Sequence, residues 1–247
     1  MEVHAHTHTS DPDSHRGKKK FTHYLWEFLM LFLAVFCGFL AENQREHMLE
    51  NKREKEYIKS YIEDLKQDTV ELNQIIGIVD QKLLFRDSLL KELSNPSVFS
   101  NSSKAYYYLV ASFHFPDFIY NDRTIQQLKN SGGMRLIRNK AVSDSIMDYD
   151  SYVRTLFIHQ EMMNTLSLNF GRLSNRLFQK RLLDTANKES KIKPVPLLSS
   201  SRTDLEEFYN NMSDQRAGFV RLKYLDAELL AKATRFIEFI KKEYTLQ

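Results

Sequence analysis

Eighteen consecutive residues, Tyr24–Ala41 (YLWEFLMLFLAVFCGFLA), contain one charge, Glu27, and no proline. As a helix rising 1.5 Å per residue the run is about 27 Å long, close to the ~30 Å hydrocarbon core of a bilayer. Nine phenylalanines, leucines and valines between Phe28 and Ala41 favour insertion by roughly 3–5 kcal/mol. Glu27 opposes it, but in the first turn its carboxylate can reach the headgroups and costs well below the ~2.5 kcal/mol of an acid at mid-bilayer. Tyr24 and Trp26 share that level, as residues of an interfacial aromatic belt do. The balance predicts a transmembrane helix over residues 21–42, with Tyr24, Trp26 and Glu27 at the membrane interface.

A cleaved leader has the same order of basic and apolar segments. Cutting after Ala41 or after Gly38, however, puts Phe39 or Phe36 where a small residue is needed, and Phe36 also disfavours lipidation of Cys37. The segment therefore reads as an uncleaved anchor. Arg16, Lys18, Lys19 and Lys20 crowd its N-terminal flank, whereas residues 42–56 mix Arg45, Lys52, Arg53 and Lys55 with five glutamates. The denser basic flank marks the cytoplasmic side. This predicts a single-pass protein of the inner (cytoplasmic) membrane, N-terminus in the cytoplasm and C-terminal domain in the periplasm.

Thirty-five basic residues against 32 acidic ones give a net charge of +3, without the surplus that nucleic-acid binding needs. Cys37 is the sole cysteine, so no disulfide braces the exterior, and five prolines and seven glycines in 247 residues supply little turn chemistry for a β fold. The expectation is all-α: an N-terminal transmembrane helix that continues into a long helix packed in an antiparallel helical bundle. Residues 1–20 form a polar, His-rich cytoplasmic tail expected to be disordered. His4, His6 and His8 alternate there, with Asp11, Asp13 and His15 behind them. Such a tract can bind Zn²⁺ or Ni²⁺, but a solvated tail offers no fixed geometry, so the three histidines are weak metal candidates and no cofactor is expected.

Residues 43–57 read as a polar helical stalk and 58–247 as the bundle. In the first long helix a seven-residue repeat sets Ile58, Leu65, Leu72, Val79 and Leu93 on one row, interrupted by Arg86. Ile62, Ile76, Leu83 and Leu90 form a second row, interrupted by Thr69; this is coiled-coil seam spacing. Asn95-Pro96 ends the helix. Asp122 is placed to cap a short helix through Leu128, stopped by Gly132-Gly133. A helix from about Arg138 to Leu183 carries Val142, Ile146, Tyr149, Val153, Leu156, Met163, Leu166, Phe170, Leu173 and Leu177. Residues 184–202 read as a loop, Thr203–Glu206 as a capping box, and about Arg216–Tyr244 as the last helix. The rows of the first helix are expected to face residues 138–183 and 216–244.

The segments His23-Tyr-Leu-Trp-Glu27-Phe, Ala41-Glu-Asn-Gln-Arg-Glu46 and Thr124-Ile-Gln-Gln-Leu-Lys-Asn-Ser-Gly-Gly-Met-Arg-Leu-Ile-Arg-Asn-Lys140 resemble the two motifs of an uncharacterised family of single-span Bacteroidota membrane proteins. The resemblance implies a membrane anchor and a helical extracytoplasmic domain. It brings no functional residues with it.

Four features bear on function. Ala34, Gly38 and Ala41 share a face with Glu27, and small residues at this spacing let two helix backbones approach; they are a candidate helix–helix contact in a homodimer. Tyr106, Tyr107, Tyr108, Phe113 and Phe115 are a candidate partner surface, weighed against a core plug under the bundle end. The glycines and basic residues of Ser131–Lys140 read as a helix stop and restart, since no Gly-x-x-x-x-Gly-Lys-Ser/Thr spacing is present. His114 and His159 lack metal-ligand spacing, and neither a nucleophile elbow nor a His-Glu-x-x-His motif occurs, so no catalytic residue is nominated. The expected function is a membrane-anchored helical interaction or scaffold protein, in contact with the lipid bilayer and with a protein partner. The alternative is an extracytoplasmic ligand-sensing domain of an envelope sensor.

Overall fold

The structure, a computed structural model, describes residues 16–183 and 194–246, and every regular element among them is helical. In order these are α1 (Arg16–Leu93), α2 (Ser103–Ala111), α3 (Arg123–Asn130), α4 (Lys140–Leu177), α5 (Lys180–Leu183) and α6 (Arg202–Glu243), with 3-10 turns at Pro96–Phe99 and Gly133–Leu136. The chain divides into two units, Met1–Arg53 and Glu54–Gln247.

In the first unit α1 is helical from Arg16, inside the segment expected to be irregular. Arginine and lysine are good helix formers, and an apolar helix that follows directly supplies the nucleus they extend. Residues 21–49 are all exposed. Phe28, Phe32 and Phe36 stack in succession at i, i+4, with centroids 6.3 and 5.9 Å apart. This part of α1 is long and apolar enough to cross a membrane. His4, His6, His8, Asp11, Asp13 and His15 lie outside the described residues.

The second unit is a bundle of α4, α6 and the part of α1 from Glu54 onward. Ile58, Leu65, Leu72, Val79 and Leu93 are buried as their spacing requires, and so is Arg86. On the second row Ile75 is buried and Ile76 only half-buried. A straight helix drifts by about 20° per heptad against a strict seven-residue repeat, so the contact line shifts to the neighbouring residue.

Contacts along the helices fix their directions. Asp80 pairs with Lys223 and Asp87 with Arg216, while Tyr61 meets Phe236 edge-on at 5.8 Å, so α6 runs antiparallel to α1. It is antiparallel to α4 as well, through Lys232–Asp148 at 3.0 Å and Arg176–Glu207 at 2.9 Å. Gly218 permits a close approach there: a Cβ on it would overlap the Met163 thioether. Between α1 and α4 the expected antiparallel order gives way to a parallel one. Glu54 takes the Arg138 amide at 2.9 Å, Asp68 takes the Tyr149 hydroxyl at 2.9 Å, and Arg86 reaches the level of Leu166 through Gln215. Residues 94–139 return the chain along the bundle before α4 begins, which lets two consecutive long helices run the same way.

Charges on α1 fasten that return. Lys82 Nζ donates to the Ala111 carbonyl at 2.8 Å and Arg86 Nη2 to that of Ser112 at 3.3 Å, at the C-terminal end of α2. Glu71 accepts from the Ile119 amide, Asp68 from the Asn121 amide and Asp64 from the Thr124 amide, each at 3.0 Å, at the N-terminal end of α3. Cations meet free carbonyls and anions meet free amides, the sense the helix dipole favours.

Three boundaries differ from expectation. Asp122 stands at the N-cap of α3 but its side chain does not cap; it accepts from Gln126 Nε2 at 3.1 Å, and Asp64 of α1 takes the free amide instead. α4 stops at Leu177, not Leu183, because Phe178 turns into an extended conformation and meets Tyr106 edge-on at 5.0 Å, and the Tyr106 hydroxyl accepts the Gln179 amide. α6 is one helix from Arg202, capped by Ser201, whose hydroxyl takes the Asp204 amide at 3.2 Å, so Thr203–Glu206 is not its capping box. Leu205, Phe208, Met212, Gln215 and Phe219 are all buried and already carried the 3-4 spacing of a core face.

Gly132 terminates α3 with φ +66° and open space where a side chain would stand. Gly132→Ala therefore costs only the left-handed backbone penalty, about 1–2 kcal/mol, measurable as a lowered midpoint in chemical denaturation with an unchanged slope.

Candidate functional site

The five aromatic residues proposed as one surface are distributed by the fold. Tyr106 is fully buried between α1 and Phe178, a core plug that no partner can touch. Tyr107 and Tyr108 are half-buried around Phe85, at 6.0 and 6.4 Å, and Phe115 stacks on Phe219 at 3.6 Å. Phe113 alone stays open, 60% exposed, with one side against Phe170 at 5.5 Å. Four positions after buried Leu109, it sits beyond the helix stop at Ser112 and so escapes the core face.

Phe113 lines a cavity of about 310 Å³ between the end of α2 and the end of α4. Leu109, Val110, Phe170 and Leu183 complete an apolar wall, and His114 and Lys180 place basic groups on it. An apolar cleft with a few polar groups at its edge is the form of a site that holds a small apolar segment.

The core itself has an unusual layer. One apolar cluster runs from Ile58 to Leu83 on α1 and from Phe219 to Ile240 on α6; a second gathers Leu89–Leu93, α2, Phe170–Phe178 and Leu205–Met212. Arg86 and Gln215 lie between them. Arg86 is 1% exposed, its Nη1 donates to Gln215 Oε1 at 3.1 Å, and its Nε has no acceptor among the described residues. The guanidinium carbon lies 4.8 and 4.9 Å from the centroids of Phe115 and Phe219, which are themselves only 3.6 Å apart. It therefore sits beside the stack, at the electropositive ring edges, and gains little from the ring faces. Burial without a carboxylate lowers its pKa to about 10, so it remains charged at neutral pH.

Two buried carboxylates behave in the opposite sense. Asp68 accepts from the Asn121 amide and side chain and from the Tyr149 hydroxyl, yet burial raises its pKa to about 6. Asp226 is 4% exposed and its Oδ1 finds no donor among the described residues; burial, aided by the neighbouring Asp117, raises its pKa to about 7. Sequence reasoning missed Arg86, Asp68 and Asp226 as core residues. Only Arg86 left a signal, as the polar break in an otherwise apolar heptad row.

In the N-terminal unit Tyr24 and Trp26 are exposed, and Glu27 pairs with His23 at 3.1 Å within the same helix. Ala34, Gly38 and Ala41 are exposed, and Gly38 has open space beside it. Cys37 is free and exposed. His114 is exposed and His159 hydrogen-bonds to the Thr155 carbonyl at 2.9 Å. Among the described residues no group of three His, Cys, Asp or Glu side chains converges as metal ligands do. Compared with family models, curated proteins and solved structures, the chain matches none of them.

Proposed function

We propose that the protein is a single-pass membrane protein, N-terminus in the cytoplasm, whose bundle stands on the extracytoplasmic side as an interaction module. The carrying observation is the exposure of every residue from Phe21 to Leu49, Phe28, Leu31, Val35 and Phe39 among them at 64–69%. Each such side chain left in water forgoes roughly 1.5–3 kcal/mol of burial, a cost that lipid removes. The resemblance to the single-span Bacteroidota family supports the same placement. Within the bundle, the cleft at Phe113 is the surface that suits a partner: one open aromatic ring on an apolar wall. The partner we infer is a protein segment with an apolar anchor residue.

Carbonate-washed membranes should retain the full-length protein, and a C-terminal reporter active only after export should be active. A soluble product, or a silent reporter, overturns the placement. A photocrosslinking residue at position 113 in native membranes should give a discrete adduct that the same residue at exposed position 84 does not. Equal labelling at both sites removes the cleft from the proposal. The sensor reading keeps one supporting observation, the carboxyls of Asp68 and Asp226 enclosed within the bundle, where burial raises the pKa of each.

A further inference from the structure

A second cleft, of about 600 Å³, lies where the start of the packed part of α1 meets the end of α6 and the first residue of α3. Its wall carries four cations, Lys59, Lys66, Arg123 and Lys241, against one carboxylate, Glu63. The whole chain is nearly balanced, 35 basic residues to 32 acidic, so the excess is local. Lys66 is paired with Glu63 at 2.7 Å, and Arg123 with Asp64 at 2.7 Å. Lys59 and Lys241 have no acidic partner among the described residues. Two like charges brought to one cleft without a counter-ion repel each other, and an anion placed between them relieves this.

The end of α6 shapes the cleft. The Leu246 amide donates to the Lys241 carbonyl at 2.9 Å and the Thr245 amide to that of Lys242 at 3.4 Å, the paired bonds of a helix-terminating turn. Thr245 takes φ +52° to make it, a conformation that a β-branched residue seldom adopts. The turn folds Leu246 back against the apolar core, so the cleft has Ile62 and Leu246 in its lining, a hydroxyl from Ser60 or Thr245, and basic groups around them.

We propose that this cleft binds a phosphate group, through Lys59 and Lys241 as direct charge partners and Arg123 as a fork-shaped donor. The same chemistry is offered by an anionic phospholipid headgroup and by free phosphate. Hydrogen exchange of the full-length protein in phosphatidylcholine nanodiscs separates them, read at peptides covering residues 59–66 and 240–246. One arm adds phosphatidylglycerol to the disc and the other adds millimolar inorganic phosphate to the buffer. Exchange should slow about threefold or more in at least one arm, and the arm that responds names the source. In Lys59→Gln/Lys241→Gln the protection should vanish, whereas Lys91→Gln/Lys104→Gln, two lysines away from the cleft, should keep it. No protection in either arm overturns the proposal, as does protection that survives Lys59→Gln/Lys241→Gln. Melting the variants by circular dichroism shows whether they remain folded. The phosphate arm can also be run in detergent and so does not depend on how the N-terminal segment sits in a bilayer.

Discussion

Asp226→Asn stabilises the bundle by about 3–4 kcal/mol at pH 8, and the gain falls below about 1 kcal/mol at pH 4. The folded carboxyl has its pKa raised from 3.8 to about 7 by burial first and by Asp117 second. Native protein thus keeps this proton between those limits while the unfolded chain has lost it. The penalty is absent below the unfolded value and complete above the folded one, so stability falls as pH rises through this window. Asparagine carries no charge in either state and removes the dependence. Asp68 works in the same direction, with its folded value at about 6, but three donors converge on its two oxygens. An amide there leaves a donor facing a donor, so Asp68→Asn stabilises less than Asp226→Asn or not at all. Urea titrations of both variants across pH 4–8 measure this. A flat difference between Asp226→Asn and the parent would show that the Asp226 carboxyl is not shifted.

Arg86→Ala should destabilise the bundle by about 3–5 kcal/mol, and Arg86→Met should recover most of that loss. Truncation to alanine empties a long side chain from between two apolar clusters. It also leaves the Ser112 carbonyl and the Gln215 amide oxygen without their donor. Methionine refills the volume with a flexible apolar chain and removes a buried cation that has no carboxylate and no ring face beneath it. Similar losses in both variants would mean that the guanidinium hydrogen bonds, and not the packed stem, hold the layer together. A more stable Arg86→Met would mark the charge as a cost the fold tolerates. The layer at Arg86 and Gln215 still has a role to explain, because a polar pair inside an apolar seam fixes helix register: sliding any of the three helices by one turn buries the cation against leucine.

Much of the fold was legible in one dimension. The 3-4 spacing of Val142 to Leu177 and of Leu222 to Ile240 identified faces that are buried with few exceptions, and Asn95-Pro96 and Gly132 stop helices where they were expected to. What escaped was each place where the decisive group came from a distant part of the chain. Asp64 rather than Asp122 caps α3, because the better-placed carboxylate lies 60 residues upstream. Phe178 breaks the helix expected to reach Leu183, where its ring meets Tyr106 and Phe208, residues of two other helices far from it in sequence. The aromatic cluster looked like one surface in sequence, but neighbours on a helix point in different directions, and only Phe113 ended outside.

By itself the sequence determined that the chain is helical, which faces of its helices are apolar, and that residues 24–41 suit lipid better than water, because periodicity, local propensity and transfer free energy are properties of short segments. The tertiary structure alone decided that α1 and α4 run parallel, that Arg86, Asp68 and Asp226 are buried, and that Lys59 and Lys241 share a cleft with Arg123. Those outcomes depend on which distant groups arrive at one point, and electrostatic and hydrogen-bond energies change by several kcal/mol with that arrangement, so no window along the chain contains them.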